Sequence, residues 1–346
     1  MDDTRTVYWK DGKVAMIDQT RLPGSLEYVE YGDHDGVAGA IRTLVVRGAP
    51  AIGVAAAFGM ALAARNSTAD TARGVLSDMD AARRTLAATR PTAVNLVWAL
   101  DRVYAAAGRA SSAQEVRAAT LDEALAMAEE DVAANRAMGR NGASLFGDGG
   151  TIMTHCNAGA LATVGYGTAL GVIRAVRESG RPVRVVATET RPVQQGSRLT
   201  AFELKHDGFD VSLIPDTAVG YSMAGGMIDG VVVGADRILR TGHVFNKIGT
   251  YQVATMAQRH SVPFYVAAPL STFDMTSDPG DVTIEMRNAA ELVGPEGRRT
   301  APEGIGVINP AFDMTPPDLV SAIITEAGVA RPPYERSIAE LFTANF

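Results

Sequence analysis

Cysteine is almost missing from this sequence, because Cys156 is the only one in 346 residues. A single cysteine excludes an internal disulfide and is typical of a reducing cytoplasm, where we expect this protein to function. Lys and Arg form no run long enough to follow a nucleic-acid backbone, and the net charge is −7. We therefore expect no nucleic-acid partner.

Long apolar segments are missing as well. The longest, residues 49–64, is interrupted by Gly53 and Gly59. It falls short of the roughly 18 to 20 apolar residues that span a bilayer, so it predicts a buried helix and no membrane partner. The first residues are acidic and no apolar core follows them, so no signal peptide is expected.

The usual cofactor and metal motifs are also missing. The sequence contains no phosphate-binding GxxxxGK[ST] loop, no HExxH and no CxxC, and its five histidines are scattered. Gly165-Tyr166-Gly167 lies inside a helical pattern, without the preceding strand that a dinucleotide site requires. The prediction is an enzyme or binding protein that uses neither a metal nor a cofactor.

The pattern of apolar residues changes near residue 140. Two short β-rich runs separated by Asp11-Gly12 predict a hairpin, and residues 35–140 read as helical, ending in a long helix from residue 113. After residue 150, five short β-rich runs alternate with amphipathic segments: 151–155, 183–187, 211–214, 230–233 and 264–268. This alternation is typical of βαβ units on a parallel sheet. We predict an α/β protein with a mostly helical N-terminal domain (1–140) and a parallel-sheet C-terminal domain (141–346).

Polar residues follow four of these predicted strands. They are His155-Cys156-Asn157, Thr188-Glu189-Thr190-Arg191, Pro215-Asp216-Thr217 and Gly234-Ala235-Asp236-Arg237. Ligands of such sheets bind outside the carboxyl ends of the strands, so these residues predict a site. Cys156 stands where a strand is predicted to run into a helix start, which would favour the reactive thiolate. The alternative for Cys156 is a small buried apolar residue.

Arginines precede prolines at three predicted helix starts: Arg47 before Gly48-Ala49-Pro50, Arg90 before Pro91, and Arg191 before Pro192. A guanidinium beside a helix N-terminus is a good phosphate or carboxylate site. Arg47 and Arg90 are the stronger candidates because each lies between apolar segments. A solvated surface arginine is the alternative in every case.

Three further groups are candidates. Asp236 ends a very apolar strand, so burial should keep its carboxyl protonated and able to act as an acid, unless it merely caps a helix. Asn246 and Lys247 offer an amide for a sugar hydroxyl and an ammonium for a phosphate, unless they form a solvated turn. Gln195 offers a hydrogen bond to a hydroxyl or carbonyl, although exposed glutamines are common.

These residues occur in motifs that resemble the methylthioribose-1-phosphate isomerase family. The matching motifs cover about residues 40–325 in order: Arg47-Gly48-Ala49-Pro50-Ala51-Ile52-Gly53, Arg90-Pro91-Thr92-Ala93-Val94-Asn95-Leu96, Thr154-His155-Cys156-Asn157-Ala158-Gly159, Glu189-Thr190-Arg191-Pro192 with Gln195-Gly196 and Arg198-Leu199-Thr200, Gly234-Ala235-Asp236-Arg237-Ile238, Asn246-Lys247-Ile248-Gly249-Thr250 and Asn309-Pro310-Ala311-Phe312-Asp313. One small departure is Met286, where a second glutamate would be typical.

The resemblance implies a Rossmann-like C-terminal domain and a cytoplasmic, metal-independent homodimer of methionine salvage. Its substrate would be the sugar phosphate 5-methylthioribose 1-phosphate, converted to 5-methylthioribulose 1-phosphate. Cys156 and Asp236 would be catalytic. The substrate-binding residues implied by the motifs are Arg47, Gly48, Ala49, Arg90, Gln195, Asn246 and Lys247.

Two alternatives stay open at this point. The substrate of the same reaction would instead be ribose 1,5-bisphosphate or 5-deoxyribose 1-phosphate, which differ at C5. The second alternative is a protein that is not an enzyme. The chain would then be a non-catalytic regulatory subunit of translation initiation, a group of proteins related to the isomerases. Such subunits are not expected to keep both Cys156 and Asp236.

Overall fold

The computed structural model describes residues 4–90, 94–294 and 299–343. The chain divides into two compact units, Met1–Asn135 with Gly159–Gly167, and Arg136–Ala158 with Thr168–Phe346. The domain boundary between residues 140 and 141 stays a prediction. The sequence did not indicate that Gly159–Gly167 belongs to the first unit.

The first unit begins with a three-stranded antiparallel sheet of β1 (Val7–Lys10), β2 (Lys13–Ile17) and β3 (Tyr28–Tyr31). Strands β1 and β2 form the predicted hairpin, with Lys10 opposite Lys13. The hairpin prediction is confirmed. Strand β3 was not predicted, because its four residues are partly exposed and carry only a short alternating pattern.

Helices follow along the described part of this unit: α1 (His34–Arg42), α2 (Ala49–Asn66), α3 (Ala72–Ala87), α4 (Val94–Ala107) and α5 (Ala113–Ala143), which continues into the second unit. Helix α2 lies at the centre of the core, and residues 49–64 are buried except Pro50. Its small residues allow close packing, since a Cβ added to Gly53 would lie 3.0 Å from the carbonyl oxygen of Asn95. The predicted buried helix is confirmed.

The second unit contains a seven-stranded sheet. Its strands are β4 (Gly150–Thr154), β5 (Val183–Thr188), β6 (Asp210–Ile214), β7 (Gly230–Val233), β10 (Phe264–Ala267), β13 (Ala322–Thr325) and β14 (Gly328–Ala330). The five strands predicted from the sequence are confirmed to within one residue at each end. Their apolar runs are buried by two clusters of side chains, one containing Met153 and the other containing Ile152.

The order of the strands across this sheet is β14-β13-β10-β7-β4-β5-β6, and only β14 runs antiparallel. Numbered along the chain, the six parallel strands follow the order 3-2-1-4-5-6 of a Rossmann fold. The predicted α/β class is confirmed. The order reverses between β4 and β7, which is where such sheets bind ligands.

The remaining described elements of this unit flank the large sheet or form a second, four-stranded sheet. The helices are α6 (Ala169–Glu178), α7 (Ala201–His206), α8 (Val219–Ala224), α9 (Thr250–Arg259), α10 (Ala289–Val293) and α11 (Tyr334–Thr343). The second sheet has the order β11-β8-β9-β12, made of β11 (Phe273–Asp274), β8 (Arg237–Leu239), β9 (Val244–Lys247) and β12 (Phe312–Thr315). None of the described helices is long and apolar enough to cross a membrane.

Candidate active site

The carboxyl ends of β4 and β7 lie side by side at the reversal point of the large sheet. Ile152 pairs with Gly230 and Met153 with Val231, in parallel. The segments that follow stay close, since a Cβ added to Gly234 would lie 2.7 Å from the Cβ of Ala158. Cys156 comes two residues after β4 ends, and Asp236 comes three residues after β7 ends.

Backbone bonds on both sides hold Cys156 in a left-handed conformation. Its φ is +64°, which is uncommon for a residue with a side chain. Its N–H donates to Thr190 Oγ1 (2.9 Å), and its carbonyl oxygen accepts from Thr200 Oγ1 (2.6 Å). Such a conformation persists only when the surrounding structure imposes it, and residues of this kind cluster at functional sites. The Cys156 side chain is partly exposed.

The predicted helix start after Cys156 is wrong. Helix α6 begins only at Ala169, and positive φ values at Tyr166 and Gly167 interrupt the predicted helical pattern. The backbone of the intervening segment bonds within the first unit instead, for example from Thr6 Oγ1 to the carbonyl oxygen of Ala160 (2.7 Å). A helix N-terminus therefore does not explain the reactivity expected of this thiol.

Asp236 does not cap a helix. A short strand, β8, follows it, and its backbone N–H donates to the carbonyl oxygen of Phe245 (2.9 Å). The alternative of a helix-capping aspartate is therefore excluded. Because β8 pairs with β9, Asp236 lies beside the strand that carries Asn246. The Asp236 side chain is half-buried.

Asn246 and Lys247 lie on β9, so the alternative of a solvated turn is wrong. Asn246 is buried, and its Nδ2 donates to Thr250 Oγ1 (3.0 Å). The ammonium of Lys247 donates to the carbonyl oxygen of Ala311 (2.8 Å) and lies 4.4 Å from the centre of the Phe312 ring. These two contacts hold the ammonium group of Lys247, and with it the positive charge, close to Ala311 and Phe312.

Gln195 is buried, with 8% of its surface exposed, and its Oε1 has no hydrogen-bond partner among the described residues. Buried acceptors are usually satisfied, so this oxygen is available to a partner from outside the chain, a water or a ligand. The predicted helix start at Pro192 is wrong, because Gln194 has a φ of +60° and the helical residues begin at Gln195. Gly196 comes next, where a Cβ would lie 1.7 Å from the carbonyl oxygen of Thr188.

The first unit holds the four other predicted binding residues. Gly48 precedes α2 with a φ of +96°, and a Cβ there would lie 2.4 Å from the carbonyl oxygen of Ala162, so only glycine fits. Ala49 is the first residue of α2, and Arg47 is half-buried. Arg90 follows α3 and is also half-buried. The helix start predicted at Pro91 lies outside the described residues.

The polar ends of three neighbouring strands, β6, β5 and β4, are joined by hydrogen bonds. Asp216, after β6, accepts from the backbone N–H groups of Thr190 (2.8 Å) and Arg191 (2.7 Å), after β5. Thr190 in turn accepts from Cys156, after β4. The structure therefore brings the predicted strand ends together, with those of β7 and β4 adjacent. The sequence predicted that Thr190 and Asp216 follow strands, but it did not indicate that their hydrogen bonds support the backbone of Cys156.

Two further residues near these strand ends were missed. His155 is buried, with Nδ1 2.6 Å from Thr188 Oγ1 and Nε2 2.8 Å from the carbonyl oxygen of Ile248. Burial lowers the pKa of His155 below its ordinary value. Asp313 on β12 accepts from the N–H groups of Gly249 (2.7 Å) and Tyr251 (3.1 Å) at the start of α9, and burial raises its pKa to about 6. His155 was predicted to lie at a polar strand end but was given no role, and the family motif was the only sequence signal for Asp313.

Residues suited to hold a metal do not cluster in the described ranges, where no three or more His, Cys, Asp or Glu side chains come together suitably.

Comparisons with known proteins agree on the family. A model of the initiation factor 2 subunit family matches residues 45–332. A methylthioribose-1-phosphate isomerase of Syntrophotalea carbinolica is 55% identical over 341 residues, which are 98% of this chain and 99% of that protein.

Two solved structures resemble the whole chain. The 5-methylthioribose 1-phosphate isomerase from Pyrococcus horikoshii OT3 has a TM-score of 0.92 at 44% identity, covering 99% of this chain and 96% of its own. A protein described as translation initiation factor eIF-2B, subunit delta, from A. fulgidus has a TM-score of 0.89 at 50% identity, covering 99% and 100%. The chain thus belongs to the initiation factor 2 subunit family and, within it, to the methylthioribose-1-phosphate isomerases, which makes it an aldose–ketose isomerase.

Proposed function

We propose that this enzyme converts 5-methylthioribose 1-phosphate to 5-methylthioribulose 1-phosphate in methionine salvage. The names of its relatives support the substrate, and the position of Cys156 and Asp236 after two adjacent strands supports the chemistry. We further propose that it works in the cytoplasm as a homodimer and without a metal. An assay of the purified protein with this sugar phosphate tests the proposal, and no turnover would contradict it.

The first chemical step is the opening of the sugar ring. The phosphate on C1 prevents the spontaneous opening that gives other aldoses a free aldehyde. Asp236 is proposed to protonate the ring oxygen, so that the bond between this oxygen and C1 breaks and C1 becomes electron-deficient. The half-buried location of Asp236 and its neighbour β9 support a role in a partly desolvated site.

The second step moves hydrogen from C2 to C1. In one route Cys156 takes the C2 proton as a base, an enol forms between C1 and C2, and C1 is then protonated. In the other, hydride passes directly from C2 to C1 while Cys156 shields the reacting carbons. In both routes the C2 hydroxyl loses its proton and becomes the ketone. Turnover in deuterium oxide separates them, because substantial deuterium at C1 of the product would exclude an obligatory hydride shift.

Binding roles are proposed for the motif residues. Arg47 and Arg90 would neutralise the phosphate, and Gly48 and Ala49 would supply backbone N–H groups at the start of α2. Gln195, Asn246 and Lys247 would hold the sugar and its phosphate. The unpaired buried Oε1 of Gln195 supports its role most directly, since a sugar hydroxyl would satisfy it.

The substituent at C5 is the least constrained part of the proposal. Ribose 1,5-bisphosphate would need a second cationic cluster, whereas a methylthio group or the bare C5 of 5-deoxyribose 1-phosphate needs an apolar surface. Measuring kcat/KM with all three sugars decides among them. We expect the methylthio compound to be the best substrate.

A regulatory role in translation initiation is the second candidate, because one similar structure is described as an initiation factor subunit. This chain keeps both Cys156 and Asp236, which supports catalysis instead. Capture of initiation factor 2 by the purified chain, together with no turnover of any of the three sugars, would favour the regulatory role.

A further inference from the structure

A buried cluster of charged side chains is connected to the backbone of Cys156 by hydrogen bonds and takes no part in the proposed chemistry. Glu203 on α7 is fully buried, and Arg174 on α6 is 2% exposed. Arg174 Nη2 donates to Glu203 Oε2 (3.0 Å), and its Nε and Nη2 donate to Asp207 Oδ2 (2.9 and 2.6 Å). Burial opposes the charge on Asp207, but positive charge nearby, that of Arg174 foremost, outweighs burial and lowers the pKa of that carboxyl.

The second oxygen of Glu203 leads from this cluster to Cys156. Asn157 Nδ2 donates to Glu203 Oε1 (2.9 Å) and to Thr200 Oγ1 (3.2 Å). Thr200 Oγ1 donates to the carbonyl oxygen of Cys156 (2.6 Å). Two buried side chains, Asn157 and Thr200, therefore connect Glu203 with the backbone of Cys156 through three hydrogen bonds.

The chemistry of the groups determines the direction of every bond in this series. A carboxylate only accepts, so Glu203 orients the amide of Asn157 with its NH₂ toward Thr200. Thr200 accepts there, so its single hydroxyl proton is left for the carbonyl of Cys156. Removing the negative charge of Glu203 or the hydroxyl of Thr200 interrupts the series at a defined point.

Buried ion pairs contribute little to stability, because desolvation offsets their attraction, whereas they can select one conformation. The conformation at stake here is the left-handed backbone of Cys156, which is unfavourable unless it is held. Thr190 holds its N–H side and Thr200 its carbonyl side. The Glu203 series is thus attached to the one cysteine of the enzyme.

We propose that Glu203 and Thr200 are positioning residues for Cys156, holding its backbone so that the thiol meets the substrate in the reactive geometry. The expected effect of Glu203 and Thr200 on turnover rests on the proposed function, whereas their expected effect on the reactivity of the Cys156 thiol does not. Neither residue is proposed to touch the substrate.

The test compares Thr200→Val, which removes the hydroxyl at nearly constant shape, with Thr200→Ser, which keeps it. The matched control is Thr120→Val in α5, because Thr120 is also fully buried and donates to a backbone carbonyl, that of Val116, at 2.6 Å. We expect Thr200→Val to lower kcat by about 10- to 100-fold, as misplaced reacting groups do, with little change in KM. Thr200→Ser should restore most of the loss, and Thr120→Val should leave kcat unchanged.

Glu203→Gln is the second variant, since it keeps the shape and removes the charge. It should lower kcat as Thr200→Val does, and the double variant should lose no more than the worse single variant, because both changes interrupt one series. If Glu203→Gln fails to fold, the Thr200 variants decide alone.

Alkylation of the thiol by iodoacetamide gives a readout that needs no substrate, and Cys156 is the only cysteine to react. The pH profile of its rate constant should change in Thr200→Val and return in Thr200→Ser. An unchanged alkylation profile in Thr200→Val, a wild-type kcat, or equal damage in Thr200→Ser would each overturn the proposal. If the wild type turns over no sugar phosphate, the proposed function fails, and alkylation still decides the positioning role.

Discussion

The Nε2 atom of His155 lies 2.8 Å from the carbonyl oxygen of Ile248, and this contact joins the end of β4 to the residue after β9. A carbonyl only accepts, so Nε2 carries the ring proton, and Nδ1 accepts from the hydroxyl of Thr188. Burial disfavours a second ring proton. A neutral imidazole therefore holds together the strand ends that carry Cys156 and Lys247.

The protonation of His155 is a direct prediction of this arrangement. Long-range ¹H–¹⁵N spectra near pH 6.5 should show His155 neutral, with its proton on Nε2, while the exposed His206 provides a solvent-facing reference. Because the pKa of His155 in the folded state lies below the ordinary 6.5, its contribution to stability is complete above that pH and is lost as the pH falls. A doubly protonated ring at pH 6.5, or a proton on Nδ1 alone, would contradict the prediction.

Asp313 should make stability depend on pH in the opposite direction. Burial raises its pKa from 3.8 to about 6, so the folded chain binds its proton more tightly than the unfolded chain. The stabilisation is present below about pH 4 and is lost as the pH rises through 6. The free energy of unfolding of the wild type, minus that of Asp313→Asn, should therefore fall by about 2 kcal/mol between pH 4 and pH 7.

Denaturant unfolding at several pH values measures this difference. Asp210→Asn is the matched control. Asp210 is exposed and is the first residue of β6, at the end of that strand away from the candidate site. The same measurement on Asp210→Asn controls for the loss of a carboxylate elsewhere on the chain. A pH-independent difference for Asp313→Asn would show that Asp313 does not titrate in this way.

Catalysis should depend on both proposed catalytic side chains. Cys156→Ser and Asp236→Asn should each lower kcat by about 10²- to 10⁴-fold, because each removes a proposed proton donor or acceptor while nearly keeping its shape. Steady-state rates, with circular dichroism to verify folding, measure the effect. Asp210→Asn again serves as the control, and it should keep wild-type activity. Nearly normal turnover in either variant would remove that residue from the mechanism.

Arg90→Ala should weaken substrate binding more than it slows chemistry. A hydrogen bond to a charged group contributes about 1.5 to 3 kcal/mol, so KM should rise by about 10- to 100-fold with a smaller change in kcat. Arg84→Ala is the control, since Arg84 pairs with Asp80 on the exposed surface of α3. An unchanged KM in Arg90→Ala would exclude Arg90 from the phosphate site.

The sequence predicted five of the seven strands of the large sheet and missed β13 and β14, although β13 is fully buried. Strands β4, β5, β6, β7 and β10 were located to within a residue, because short β-rich runs are bounded by glycine, proline or polar residues. Strands β8 and β11 were missed, because three and two residues are too few to show an alternating pattern, and β11 pairs with a strand distant in sequence.

What the sequence determined by itself is therefore local: the βαβ pattern, the polar strand ends, and glycine at position 48. Only the tertiary structure decided how those strand ends are braced. It placed β4 beside β7 although about eighty residues separate them, and it gave the chain after Cys156 only one 3₁₀ turn, Ala160–Ala162, before α6 begins at Ala169. The physical reason is that the bonds which hold Cys156, from Thr190 and Thr200, come from residues more than thirty positions away, and no periodicity in the sequence records such partners.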